Sequence, residues 1–330
     1  MRKHSQLFCA IVIFLFVFVC LCVLQDKDVA RSDANATLIN VTKGESVAHL
    51  ARELKQKGLI SNEKLMRALL ALSGTDRQLK VGSYKISKGS IFAVAKQFQK
   101  VKPQSFAVCI IPGKSLSEAA RDALNKEKLL KALSQTQNFP VELQAVLPKD
   151  AASRIIFILP ETYFLVPNDS LEEQLVKIAS RLWYERVGKN ISRERFNAKS
   201  LLECGIMASI VEGEARVKED RPILAAIFYK RLGLSMRLQS CATVMYCWKE
   251  FRGVKKTRLL YKDLNIDSPF NTYKHDGLPP QPINFPSLDS WCAVLNCGQT
   301  DYLYFVADGK GKHLFSKSYK EHLARQKGLR

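Results

Sequence analysis

Between Leu201 and Val211 the chain is apolar on nearly every side of a helix, a pattern that belongs to the centre of a domain rather than to its surface. Two carboxylates follow at once, Glu212 and Glu214. At about 3.6 residues per turn, side chains two apart diverge by roughly 200°, so the pattern gives two acids in two environments, not a dyad. Glu214 continues the face of Met207 and Ile210, whereas Glu212 lines up with Gly205 and Ser209. Gly213 between them costs a helix about 1 kcal/mol relative to Ala, which predicts that the helix stops there or that another part of the chain comes close. Burial disfavours a charged carboxylate and raises its pKa, the property of an acid that must give up a proton near neutral pH. On this pattern Glu214 is the candidate acid. The plain alternative is that both acids pair with Arg216, Lys218, Arg221 or Arg231.

Elsewhere the periods are shorter. Val47, Leu50, Ala51 and Leu54 recur at helical spacing between Ser46 and Lys57-Gly58, and Leu65, Leu69 and Leu72 predict a second helix. Leu79 to Ile86 alternates as a strand does, Ile91 to Phe98 returns to helical spacing, and Phe106 to Ile111 reads as a strand ended by Pro112-Gly113. Ser115 and Glu118 have capping-box spacing. Residues 135–155 show no period and predict a connection. Downstream, Asp220 is placed to cap a helix that holds Pro222 in its first turn. Five prolines, Pro269, Pro279, Pro280, Pro282 and Pro286, exclude a long helix there. Tyr302 to Val306 and His313 to Phe315 flank Asp308-Gly-Lys-Gly311 as a hairpin. Helices and short strands in irregular order make the class α+β.

The first 25 residues stand apart. Leu7 to Leu24 is 18 residues without a charge, preceded by Arg2-Lys3-His4. That length spans roughly 27 Å, enough for a transmembrane helix whose basic flank stays inside. No small-x-small site ends it, so an anchor is expected rather than a cleaved signal. Asp26 to Asn40 is polar and reads as a linker. The 330 residues beyond and including these, 47% of them hydrophobic, suffice for two cores.

Nine cysteines fall into Cys9, Cys20 and Cys22 in the apolar stretch and six outside it. Cys241 with Cys247 and Cys292 with Cys297 are near enough in sequence to pair, with free buried thiols the equal alternative. A net charge of +20 calls for an anionic partner. Nucleic acid is not expected: the basic residues are spread along the chain without a helix-turn-helix, zinc-finger or RNP signature. The five histidines are scattered and no HExxH occurs, so neither metal nor cofactor is expected. A serine-hydrolase elbow fails at Arg237, and a phosphate loop at Gly113-Lys-Ser115 lacks its upstream glycine, Val108 standing there.

In order along the chain stand Leu159-Pro-Glu-Thr-Tyr163, Ala208-Ser-Ile-Val-Glu-Gly-Glu214, Arg221-Pro222, Phe228-Tyr-Lys-Arg-Leu232, Met236-Arg-Leu-Gln239, Ser268-Pro-Phe-Asn-Thr-Tyr273, Gly277-Leu-Pro-Pro280 and Asp301-Tyr-Leu-Tyr-Phe-Val-Ala-Asp-Gly309. Over about 160 residues this resembles the endolytic murein transglycosylases, the MltG or YceG-like family. The resemblance implies that Glu214, the second Glu of the family's E-x-E element, is catalytic. Gln239, Asn271, Thr272 and Tyr273, neutral hydrogen-bonding residues within the shared blocks, become the candidate substrate contacts. Departures surround the same region: Cys241-Ala242 stands where the family carries Asp-Pro, Cys247 replaces a usual Gly, and Gln281 stands where Gly is common.

The resemblance further implies a chain organised as a cytoplasmic tip and anchor (1–25), a linker (26–41), a LysM-like α/β subdomain with a connecting region (42–150) and a mixed α+β catalytic domain (151–330). The LysM-like part either holds N-acetylated glycan or merely spaces the catalytic domain from the membrane. The expected activity is lytic cleavage of the MurNAc-GlcNAc β-1,4 bond of nascent peptidoglycan, without cofactor, leaving a 1,6-anhydro-MurNAc end and limiting strand length. The expected location is the inner membrane, with the catalytic domain in the periplasm. Glycan strands and the inner membrane are the implied partners, and peptidoglycan synthases are left open. A non-catalytic peptidoglycan-binding scaffold is the alternative, motivated by the altered stretch from Cys241 to Cys247.

Overall fold

Ile39, Val41, Tyr84 and Ile86 are apolar at every second position and form the buried face of a two-stranded antiparallel sheet, β1 (Ala36–Val41) against β2 (Gly82–Ser87), with Ile39 opposite Tyr84. Between the strands lie α1 (Val47–Gln56), capped by Ser46, α2 (Glu63–Leu72), capped by Asn62, and the single turn α3 (Thr75–Gln78). Helix α4 (Ile91–Lys100), capped by Ser90, follows β2. Leu50, Ala51 and Leu54, Met66 and Leu70, and Val94 and Phe98 close one apolar core with the sheet, and the Tyr84 and Phe98 rings lie 5.2 Å apart.

The structure, a computed structural model, describes residues 36–41, 45–80, 82–166 and 171–329. The apolar stretch Leu7 to Leu24 and its three cysteines lie outside the described residues. Within them no helix is long and apolar enough to cross a membrane. Two compact units emerge: the one just given, which holds the described residues up to Phe106 and residues 164–166, and a larger one of residues 107–163 and 171–329.

Three sequence expectations for the first region change. Residues 36–41, expected in the polar linker, form β1, because Ile39 and Val41 supply an alternating apolar face that the intervening polar residues mask. In α2 the buried face is Met66 and Leu70, while Leu65 and Leu72 are exposed, so the helix is turned from the face first expected. Residues 107–150 pack with the larger unit. The stretch 135–155, read as a connection, holds the 3-10 turn Thr136–Asn138, a short α-helix and the 3-10 turn Ala152–Phe157, with Phe139, Leu143 and residues 155–157 buried. Turns with three residues per turn do not produce the 3.6 period that marks a helix in sequence.

Strands β3 (Phe106–Cys109) and β4 (Thr162–Leu165), of which residues 107–109 and 162–163 belong to the larger unit, form a second two-stranded sheet. The helices of the larger unit are α5 (Leu116–Ala123), with the predicted capping box, α6 (Lys126–Ser134), α7 (Val141–Gln144), α8 (Leu171–Arg186), α9 (Ala198–Glu214), α10 (Asp220–Gly233), α11 (Cys241–Arg252), α12 (Leu288–Leu295) and α13 (Tyr319–Gly328). The hairpin β5 (Tyr304–Ala307) and β6 (His313–Ser316) stands where the sequence puts it. Residues 268–287 contain no helix, as their prolines require. Asp220 is not a cap: it opens α10 and accepts from the backbone N–H and Nδ1 of His313, both at 2.8 Å.

Helix α9 is the axis of this unit, with α10, α11 and α12 packed on it. Edge-to-face rings of Phe157, Trp183 and Trp291, with centroids 4.8 and 5.1 Å apart, fill the core nearby. Gly205 lets Ile156 press onto the helix: a Cβ there would meet Ile156 Cγ2 at 2.6 Å and Cβ at 2.8 Å. Gly205→Ala should lower stability by about 1–3 kcal/mol, read as a lower denaturation midpoint with unchanged slope. Gly233→Ala, with nothing within 4 Å of the added Cβ, should leave the midpoint unchanged or raise it slightly.

Candidate active site

Asn197 caps α9 by accepting from the N–H of Ser200, and the helix stays buried from Cys204 to Val211 before emerging in its last turn. The two acids of that turn diverge as their spacing requires. The Glu212 side chain is enclosed, 6% exposed, and fully engaged. Its Oε1 accepts from Arg221 Nη2 at 3.2 Å, and its Oε2 from Ser290 Oγ at 2.7 Å, the Ser287 N–H at 3.0 Å and the Ser287 hydroxyl. Arg221 also donates to Ser290 Oγ at 3.1 Å. Glu212 therefore ties α9 to α10 and to the first turn of α12, which Ser287 caps. For this acid the structural alternative holds.

Glu214 ends the helix half-buried. Its Oε1 accepts from Ser240 Oγ at 2.5 Å and from the Ala242 N–H at 3.0 Å, while no donor reaches Oε2 among the described residues. Ser240 is the N-cap residue of α11, yet its hydroxyl goes to Glu214 rather than back to its own helix. The start of α11 thus meets the end of α9, and Gly213 makes room for it: a Cβ there would lie 2.7 Å from Ala242 Cβ. Both outcomes that the sequence attached to Gly213, a helix end and a close approach, occur together. The apolar run led to an enclosed carboxyl as the expectation; Glu214 is instead half-buried, because it is the last helical residue.

The four expected contact residues separate into two pairs. Asn271 is fully buried; its Nδ2 donates to the carbonyls of Leu264 and Ile266 at 2.8 Å, and its Oδ1 accepts from the Tyr273 N–H at 3.0 Å. Thr272, also buried, accepts at Oγ1 from the Ser240 N–H at 2.9 Å, shares a 2.9 Å bond with Thr243 Oγ1, and takes the Gln239 N–H on its carbonyl at 3.0 Å. Both side chains face the protein: Asn271 holds the 264–266 segment and Thr272 the 239–243 turn. Gln239 is exposed, with a left-handed backbone (φ 50°), and half-buried Tyr273 places its hydroxyl 3.3 Å from Cys241 Sγ. Ser240 and the Ala242 N–H were not expected from the sequence, whose nearest signal was the adjoining Leu238-Gln239. Arg231 is committed elsewhere, donating to the carbonyls of Leu303 and Leu238 at 2.8 Å.

Two concavities of the larger unit, about 370 Å³ beside Arg121 and Lys249 and about 800 Å³ beside Tyr229 and Asp301, are not lined by Glu214. One group of ligating side chains occurs among the described residues, Glu45, His49 and Glu53 in the first unit, where Glu53 is ion-paired to Lys57 at 2.7 Å.

Burial, and then the charge of Glu214, push the Cys241 thiol up to about 11. Burial first, then Cys241 and Glu214, push the Tyr273 phenol above its ordinary range, against the pull of Arg231. Both stay neutral donors beside the acid. The six described cysteines are free thiols, so of the two alternatives left by the spacing the unpaired one is found. At pH 8 the Cys241 thiolate is scarcer by about 100-fold than that of an unperturbed thiol, so iodoacetamide should label exposed Cys109 long before Cys241, as peptide mass spectrometry would record. Glu212→Ala, which strands Arg221, should cost about 3–5 kcal/mol, whereas Glu214→Gln should cost less than about 1 kcal/mol, both measured by denaturant unfolding.

The chain is similar to known proteins along most of its length. The endolytic murein transglycosylase of Bacillus subtilis (strain 168) is 32% identical over 310 residues, 88% of this chain and 84% of that protein. The one of Streptococcus pneumoniae serotype 2 (strain D39) is 28% identical over 326 residues, covering 88% of this chain but 58% of the longer relative. A crystal structure of a yceG-like protein from Listeria monocytogenes aligns with a TM-score of 0.54 at 29% identity, over 88% of this chain and 99% of that one. The model of the YceG-like family matches residues 39–328. With that match and the Bacillus identity, the chain belongs to the YceG-like family.

Proposed function

We propose that this protein is a lytic transglycosylase that cuts the glycan strands of peptidoglycan internally, with Glu214 as its single acid and base. The observation that carries the reading is the division of labour within that carboxyl. Two donors fix Oε1 as an acceptor, so the proton of the acid form is carried by Oε2, which meets no donor among the described residues. Oε2 gives that proton to the oxygen bridging N-acetylmuramic acid and N-acetylglucosamine. As the C1–O bond breaks, the same carboxylate removes the proton from the muramic acid 6-hydroxyl, whose oxygen closes on C1. The product is a 1,6-anhydro end; no water enters it and the acid is regenerated.

The strand–helix–helix–strand order of β1, α1, α2 and β2 supports reading the smaller unit as LysM-like. The same proposal puts the uncharged stretch Leu7 to Leu24 in the inner membrane, with both folded units on the periplasmic side. Its basic flank Arg2-Lys3-His4 supports that orientation.

Incubation with un-cross-linked strands followed by mass spectrometry tests the chemistry, since anhydro ends are lighter than hydrolysed ends by one water. Glu214→Gln should lower product formation by at least about 1,000-fold while circular dichroism and unfolding midpoint stay near wild type. Undiminished release of anhydro ends by that variant would remove Glu214 from the mechanism.

A further inference from the structure

The concavity of about 370 Å³ is built from three helices: Arg121 comes from α5, Lys126 from the first turn of α6, and Lys249 and Glu250 from α11. Its inner wall is held rigidly. Lys249 Nζ lies 2.7 Å from Glu118 Oε2, and Ser115, itself buried, donates to Glu250 Oε1 at 2.6 Å. Burial works against the charge of Glu118, but Lys249 and the Ser115 N–H outweigh it and hold that carboxyl below its usual range. What remains for a ligand is of both signs. Arg121 and Lys126 are exposed and make no ion pair among the described residues, and no donor there reaches Glu250 Oε2.

Two free cations beside a free carboxylate oxygen complement a group that carries its own carboxylate next to an ammonium. Within peptidoglycan that chemistry belongs to the stem peptide, whose diamino acid keeps a free ammonium until cross-linking turns it into an amide. The position also fits. Ala242, which holds Glu214, and Lys249 share α11 and are separated by about 10 Å of helix rise, a reach comparable to one disaccharide of a strand lying across the acid.

Resting on the transglycosylase reading, we propose that this pocket binds the un-cross-linked stem peptide, its carboxylate on Arg121 and Lys126 and its free ammonium on Glu250. Cross-linking removes the ammonium, so the pocket favours strands that have not yet been joined. Part of the chain's excess positive charge thereby acquires a specific partner.

The probe is the tripeptide L-Ala-γ-D-Glu-meso-diaminopimelate, titrated by NMR into the full-length chain. Saturable binding is expected, weakened about tenfold in Arg121→Ala/Lys126→Ala and about tenfold by acetylating the peptide's side-chain amine, and unchanged in Glu214→Gln. Both truncated residues are exposed, so the variant keeps its fold. On peptide-bearing strands the double variant should raise KM to the value for amidase-stripped strands, with kcat unchanged. Absence of tripeptide binding, equal binding by the double variant, or equal wild-type KM on both strand types would overturn the proposal. A wild-type chain that yields no anhydro ends from either strand sinks the transglycosylase reading instead, and the titration still decides the pocket.

Discussion

The larger unit is organised around the meeting of two helix ends, the last turn of α9 and the first of α11. A carboxyl at the end of an apolar helix needs donors, and the beginning of another helix has unsatisfied N–H groups to give. The Ala242 N–H and the Ser240 hydroxyl satisfy both needs at Oε1 of Glu214. This contact demands that the chains approach closely, which is why a glycine stands at 213 and a small residue at 242. The resembled family carries proline at the place of Ala242, and proline has no N–H. The departure that first put the cleft in doubt therefore adds a donor to the acid.

Two polar frames keep that meeting point fixed. On one side Asn271 holds the 264–266 segment and Thr272 the 239–243 turn, through backbone groups that would otherwise be buried without partners. On the other side Glu212, Arg221, Ser287 and Ser290 lock α10 and α12 onto α9. Removing one member from either frame leaves buried polar groups unpaired, so the frames resist piecemeal change and give Glu214 one orientation. Of the four candidate contact residues, Gln239 and Tyr273 are the two that are not enclosed.

The sequence made the central feature legible and hid the parts that arise from packing. The apolar run, the divergence of Glu212 and Glu214, the strain at Gly213 and the proline-held path after residue 268 are local properties, and local pattern records them. The partners of Glu214 come from 26 and 28 residues downstream, and nothing periodic announces that Ser240 turns its hydroxyl away from its own helix. Helices α11, α12 and α13 were missed for a related reason. In α11, cysteine, threonine and aromatic residues make up most of Cys241 to Phe251, where their weak helical preference conceals a helix secured by tertiary contact. Likewise Asn271 and Thr272 look like ligand contacts in one dimension and are struts in three.

Chemistry with one acid follows from the way the neighbouring acid is used. Hydrolysis of a glycosidic bond in most families needs a second carboxylate to activate water or to form a glycosyl ester. Glu212 is the nearest in sequence, but its four donors and its enclosure fix both oxygens away from solvent, and releasing it would unpair Arg221. Cys241 and Tyr273, the titratable groups at the mouth, stay protonated at neutral pH and accept no proton from water. On the proposed reading, a nucleophile that the substrate itself carries, held beside Glu214, removes the need for a second carboxylate. In the proposed reaction the muramic acid 6-hydroxyl is that nucleophile, and Oε2 of Glu214, which no donor reaches among the described residues, is the atom that would take its proton.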